Sequence, residues 1–336
     1  MAVRVGINGF GRIGRNFFRA AKQRGVDVDF VVANDLGSKE LMAHLLTHDS
    51  ILGNWDADVS VIDEGIKVNG DTITVLAERD PAKLPWSDFN VDVVIESTGL
   101  FTAREKAAVH LEGGAPLVIV SAPSDGADAT FVVGVNDDTF DKDKHKVVSN
   151  ASCTTNCFVP MVKVLDDAFG IEKGLMTTVH AYTAGQALVD GPASKDLRGA
   201  RAAAVNVVPA TTGAARATSL VLEAMKGRLD GTSLRVPIPD GSITDFTAIL
   251  NKEVTVDEIN AAFKAASESG KLADVLEYSE APIVSSDIVG SPASCTFDAP
   301  LTMAMGSLVK VFGWYDNEWG YSNRMIDLIL RTAGKE

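Results

Sequence analysis

The apolar positions of this chain change rhythm about halfway along. In the first part they come as short, nearly continuous runs at 3–7, 30–35, 91–96, 117–120, 131–133 and 146–148, rich in Val and Ile and separated by helical or turn segments. Runs that are apolar on both faces suit strands buried inside a parallel sheet. A helical stretch over 15–24 joins the first two, which predicts a βαβ unit. Beyond residue 153 the runs at 244–250 and 308–314 are longer and alternate, as antiparallel strands with one packed face would. Helical spacing returns over 256–269 and 322–332. No internal repeat or low-complexity linker separates the two styles.

Between the first strand and the first helix stands Gly9-x-Gly11-x-x-Gly14, and Asp35 ends the second strand. Glycines at that spacing also occur in plain turns. Following a strand, opening a helix and preceding an acidic residue at the next strand end, they are the arrangement that seats a pyrophosphate on helix N–H groups and a ribose on a carboxylate. The expected fold is therefore an α/β Rossmann dinucleotide-binding domain over 1–151, followed by an α+β catalytic domain with a mostly antiparallel sheet over 152–317. The Asp35 carboxylate would accept a 2′-hydroxyl and repel a 2′-phosphate, which favours NAD over NADP. Arg12 could counter this as a phosphate partner, although Arg12, Arg15 and Arg19 have the spacing of a solvated helix face.

The net charge of -14 has no long basic run against it, which speaks against a nucleic-acid or anionic-membrane surface as the primary partner. Anionic ligands would have to be held by local arginines and amides. Three cysteines, two of them four positions apart, make no disulfide framework, and the opening residues read as a strand rather than a leader, so a cytoplasmic setting is expected. No apolar run reaches the roughly 20 residues that cross a bilayer.

Cys153 in Ser152-Cys153-Thr154-Thr155-Asn156-Cys157 precedes His180 in Thr178-Val179-His180-Ala181-Tyr182-Thr183. A thiol becomes a strong nucleophile as thiolate, helped by an imidazole or a helix N-terminus beside it. The apolar positions Val159, Val162 and Leu165 permit a helix opening at Cys153, with Pro160 an irregularity about two turns in. A thiol and a hydride acceptor on one chain suggest aldehyde oxidation through a thioester.

These motifs, with Asn8-Gly9-Phe10-Gly11-Arg12-Ile13-Gly14-Arg15, Asp190-Gly191-Pro192, Lys195-Asp196-x-Arg198-Gly199, Thr211-Thr212-Gly213 and Trp314-Tyr315-Asp316-Asn317-Glu318-Trp319-Gly320-Tyr321-Ser322, closely resemble the phosphorylating glyceraldehyde-3-phosphate dehydrogenase family of glycolysis. The resemblance covers essentially the whole chain. It implies an NAD-dependent enzyme acting on glyceraldehyde 3-phosphate and inorganic phosphate, with Cys153 as nucleophile and His180 as base. By the same resemblance Gly9, Gly11, Arg12, Ile13, Asp35, Arg79, Ser97, Thr98, Ser121 and Asn317 contact the cofactor, Asn317 at the nicotinamide carboxamide. Thr183 and Arg235 match the substrate-phosphate positions. Ser152, Thr154, Thr212 and Gly213, with Arg198 or Arg201 nearby, match the inorganic-phosphate pocket. A homotetramer is implied, as is a C-terminal helix at about 318–336 folding back on the first domain.

Erythrose-4-phosphate dehydrogenase is the alternative within enzymes, and a non-catalytic binding protein on the same fold is the alternative outside them. No metal site is expected: His44 and His48 stand one helical turn apart beside Asp49, but zinc needs further ligands. Cys157, Cys295, His110 and His145 read as structural, and Trp314, Tyr315, Trp319 and Tyr321 as packing.

Overall fold

The computed structural model describes residues 2–192 and 196–335 and divides the chain into two compact units, one of residues 2–131, 136–152 and 322–335, the other of residues 132–135 and 153–321. The Lys195 of the sequence motif lies outside the described residues.

Among the described residues the first unit is built on a nine-stranded sheet. Its parallel part runs Asp71–Leu76, Val28–Asn34, Val3–Asn8, Val93–Glu96, Val118–Val120, Val147–Ser149 and Ala129–Thr130. The apolar runs form these strands because both faces are covered: Val94, Val118 and Val147 are completely buried and share a cluster with Val32, Leu84 and Trp86. The helix Arg12–Arg24 starts at Arg12, three residues earlier than its apolar spacing suggested, because Gly11 supplies the extended N-cap. It ends at Gly25, whose left-handed φ of 61° closes the last turn on the carbonyls of Ala21 and Lys22. Phe17 and Phe18 pack edge-on against Phe30 at 5.2 and 4.8 Å between ring centres, which fastens helix to sheet.

Two corrections concern strands. The run Phe131–Val133 is not a strand: pairing occurs two residues earlier at Ala129–Thr130, and after Phe131 the chain turns through Gly134 at φ 85°. Those residues are apolar because they are buried in a crossing segment, not because they pair. Conversely Val59–Ile62 and Gly65–Val68 add two antiparallel strands to the sheet edge.

In the second unit the sheet is mixed and mainly antiparallel. The Ile171–Ala181 strand lies between Leu229–Val236, parallel to it, and Ser242–Leu250, antiparallel. Leu308–Tyr315 follows, then Cys295–Asp298. The helix Cys153–Phe169 packs on Leu308–Tyr315 and carries Pro160 in its interior without ending there. Phe158 stands edge-on to Phe246 at 4.8 Å. Below it Gly313 has no room for a side chain: a Cβ there would lie 2.6 Å from both Cys295 Sγ and Met161 Sδ and 3.1 Å from Cys157 Sγ.

Candidate active site

The glycine turn, Asp35, Arg79, Ser97, Thr98 and Ser121 all lie within the first unit, whereas Asn317 belongs to the second. Gly9 adopts φ 96°, and a Cβ on it would sit 2.6 Å from the Thr98 nitrogen; one on Gly14 would meet the Gly9 carbonyl at 2.3 Å. A Cβ on Gly11 would meet nothing. Gly9 and Gly14 are therefore required by internal packing, whereas Gly11 leaves the backbone open at the N-terminus of the helix, a geometry that suits an anion. Asp35 is fixed by accepting from Phe10 N at 2.8 Å and Gly37 N at 2.9 Å, which orients its carboxylate at the end of the second strand. Ser97 Oγ donates to the Gly9 carbonyl at 2.6 Å, and Ser121 N donates to the Glu96 carbonyl at 2.9 Å, so both stand at ends of adjacent strands. Ile13 is half-buried and Arg79 exposed. The Arg12 guanidinium is paired with Asp49 at 2.7 Å, which argues against the helix-face reading of that residue.

Beneath this turn lies a buried polar network that the sequence did not reveal. The Glu96 carboxylate accepts from Asn8 Nδ2 at 2.6 Å, from Thr98 N at 2.9 Å and from Thr98 Oγ1, and it lies 2.9 Å from His110 Nε2. Trp86 Nε1 can only donate, and it does so to His110 Nδ1 at 3.1 Å. The His110 proton is therefore on Nε2, facing Glu96. A residue read as merely structural thus holds the carboxylate that holds Thr98.

The thiol half lies in the second unit. Cys153 is the first residue of its helix, and its Sγ is 3.4 Å from His180 Nε2. His180 comes from the end of its strand, where the parallel register places it opposite Arg235. His180 Nδ1 is 2.6 Å from its neighbour's carbonyl, Ala181 O, which takes an Nδ1–H and leaves the Nε2 lone pair toward sulfur. The Arg235 guanidinium, 2.7 Å from the same Nδ1, donates to Ala181 O at 3.1 Å. It cannot also donate to a protonated Nδ1, so its effect on the ring is electrostatic.

Burial pushes the Cys153 thiol up to about 11, against the Arg235 charge and Thr154 contacts that hold it down. Burial likewise pushes His180 down to about 3, and Arg235 acts in the same direction. Between these limits the pair carries one proton. The helix N-terminus and Arg235 both favour placing negative charge on sulfur when that proton moves to Nε2.

The residues expected at the anion pockets are disposed unevenly. Thr154 is buried, its hydroxyl 2.9 Å from Tyr315 Oη, whose other neighbour is Thr178 Oγ1 at 2.8 Å. Ser152 is half-buried, Thr183 and Gly213 are exposed, and Thr212 Oγ1 accepts from Ala214 N at 3.2 Å. Arg201 is tied to Asp190 at 2.7 Å, whereas Arg198 is an exposed side chain. Asn317 Oδ1 accepts from Ser242 Oγ at 2.7 Å, and the same Oγ accepts from Ala181 N at 3.0 Å. Tyr315 and Ser242 are the residues sequence reasoning missed. Tyr315 reads in the sequence only as a packing aromatic, because its two threonine partners are distant along the chain. The His44 and His48 rings lie 4.7 Å apart between centres, tilted by 51°, and His48 Nδ1 lies 3.1 Å from Asn54 Oδ1.

A glycine turn built for a dinucleotide and a thiol with an imidazole beside it define a nucleotide-dependent oxidoreductase. Residues 3–104 match the NAD binding domain of glyceraldehyde 3-phosphate dehydrogenase, and residues 152–317 match its C-terminal domain. The chain belongs to the glyceraldehyde-3-phosphate dehydrogenase family, and NAD is its cofactor. It is 59% identical over 331 residues to glyceraldehyde-3-phosphate dehydrogenase 2 of Streptomyces avermitilis, covering 98% of each chain. It is 58% identical over 335 residues to the glyceraldehyde-3-phosphate dehydrogenase of Mycobacterium bovis, again covering 98% of each. These relatives do not favour the erythrose-4-phosphate alternative.

Proposed function

We propose that this chain oxidises glyceraldehyde 3-phosphate to 1,3-bisphosphoglycerate in glycolysis, with NAD and inorganic phosphate as co-substrates. The observation that carries the chemistry is the 3.4 Å approach of Cys153 Sγ to the unprotonated Nε2 of His180. Sulfur attacks the aldehyde carbon while Nε2 takes the thiol proton, and the oxyanion forms at the N-terminus of the Cys153 helix. Nε2–H returns that proton to the oxyanion, giving the hemithioacetal hydroxyl, and takes it back as the carbonyl of the thioester forms. Bound NAD supplies the acceptor for the hydride leaving that carbon. Inorganic phosphate, held by Ser152, Thr154, Thr212, Gly213 and Arg198, attacks the thioester; the acyl phosphate leaves and the Cys153 thiolate is restored. Arg235 and Thr183 serve the substrate phosphate, a role that suits a guanidinium fork.

On the nucleotide side the glycine turn, Asp35, Ser97, Thr98, Ser121, Arg12, Ile13 and Arg79 would hold the pyrophosphate and adenosine, and Asn317 the nicotinamide amide. A homotetramer is the proposed assembly, supported by an apolar groove of about 1000 Å³ on the second unit that includes Leu175, Met225 and Leu308. A cytoplasmic setting is supported by three cysteines that all remain free thiols. Among the described residues no helix is long and apolar enough to cross a membrane. The test is absorbance of NADH with aldehyde, NAD and phosphate each omitted in turn. Signal that persists undiminished through many turnovers without phosphate would overturn the phosphorylating reading.

A further inference from the structure

Asp240 stands two residues ahead of Ser242, the first residue of its strand, and the turn that carries Asn317 also carries Asp316. Both carboxyls are buried, at 2% and 1% exposure. Asp316 has the surroundings of a carboxylate: Oδ2 accepts from Gly290 N at 2.7 Å, and Oδ1 accepts from Glu318 N at 2.9 Å and Trp319 N at 2.6 Å. Asp240 has only one such donor, Gly241 N to Oδ1 at 2.8 Å; its buried Oδ2 receives no hydrogen bond from any donor, and the neighbouring group is the Asp316 carboxyl, itself an acceptor unless a proton lies between them. Two neighbouring buried carboxyls of such unequal solvation do not both ionise. The proton settles on the poorer site, whose Oδ2–H can then point at its neighbour.

We propose that Asp240 is a protonated positioning residue, whose Oδ2–H faces the Asp316 carboxylate and fixes the spacing between the start of the Ser242 strand and the Asn317 turn. The inference rests on the reading of Asn317 as the nicotinamide contact. Burial raises the carboxyl of Asp240, and the negative charges of Asp316 and Glu318 add to this. Cys153 feels the charge of Asp240 and of Arg235 across the same site. While Asp240 is neutral, Ser242 Oγ bridges Ala181 N and Asn317 Oδ1, which ties the nicotinamide contact to the residue next to the catalytic base. When Asp240 loses its proton, like charges meet in a dry site, and their repulsion strains the Ser242–Asn317 bridge that joins the start of the Ser242 strand to the Asn317 turn.

The test measures NAD binding by calorimetry in the Cys153→Ser background, which removes thiol ionisation from the pH range. The dissociation constant should rise about tenfold between about pH 7 and about pH 10 with Asp240 present, as the competent form becomes a minor population. With Asp240→Asn, which mimics the neutral acid, it should stay flat. A second readout is thermal. A carboxyl raised in the folded state binds its proton more tightly there than in the unfolded chain, so it makes stability fall as pH rises above the ordinary carboxylate range. The Tm of Asp240→Asn should therefore gain on the parent progressively between about pH 5 and about pH 8. If both proteins show the same pH profile of NAD binding, or if the Tm difference is constant with pH, Asp240 is an ordinary buried side chain and the proposal fails. Asn317→Ala separates the two readings: if it leaves NAD affinity unchanged, the assignment of Asn317 has failed, whatever the thermal data say of Asp240.

Discussion

His180→Asn removes the nitrogen that stands 3.4 Å from Cys153 Sγ and puts in its place an amide that takes up no proton. In the parent protein the thiol is pushed up to about 11 and the imidazole down to about 3, so over the intervening range the number of protons on the pair does not change. Any reaction that needs that proton moved from sulfur to nitrogen is then independent of pH. Alkylation of Cys153 by iodoacetamide should accordingly be flat from about pH 5 to about pH 9. In the variant the proton must go to solvent before sulfur can react, so the rate should climb about tenfold per pH unit across the same range. At pH 7 the loss should be about 10²- to 10⁴-fold, the usual worth of a placed general base, or about 3 to 5 kcal/mol of barrier. Cys157 and Cys295 are fully buried, so mass mapping of the labelled peptide reads Cys153 with little background. A flat profile in His180→Asn would show that His180 is not the proton acceptor. A rising profile in the parent would show that the two groups do not share a proton.

Three further outcomes are expected. Asp35→Ala should weaken NAD and relax discrimination against NADP, each lost charge-assisted hydrogen bond contributing about 1.5 to 3 kcal/mol; an unchanged ratio of NAD to NADP efficiency would show that the ribose contact is misassigned. Tyr315→Phe strips a partner from the buried hydroxyls of Thr154 and Thr178 and should cost about 1 to 3 kcal/mol, read as a lower denaturation midpoint; an unaltered midpoint would mean those hydroxyls find other partners. Light scattering should give roughly four times the 35.5 kDa chain mass, and a monomer at micromolar concentration would refute the proposed assembly.

The central parallel strands were legible because they are apolar on both faces; Asp71–Leu76 was not, since most of it is exposed or half-buried. The Val59–Ile62 strand was not, since none of its residues is buried and Ser60 faces solvent as readily as a loop residue would. Phe131–Val133 misled for the opposite reason: complete burial produces the same letters whether or not the backbone pairs. Of the site, Cys153 and His180 were legible because their motifs are dense with polar residues at fixed spacing. Which nitrogen of His180 carries the proton was not, for that depends on Ala181 O and on the register that brings Arg235 alongside. The pairing of Glu96 with His110 and Trp86 escaped for a similar cause, three unremarkable residues meeting only when strands and loops fold together.

The sulfur cluster around Gly313 bears on redesign. With Cys157, Met161 and Cys295 already crowding the space a single methyl would need, the helix that presents the nucleophile is seated on the sheet without slack. Attempts to admit a bulkier aldehyde by nudging Cys153 backward would have to move helix and sheet as one. The adjustable parts of this catalyst are instead its exposed segments, around Thr183, Arg198 and Gly213, where a changed side chain displaces water rather than another atom of the protein.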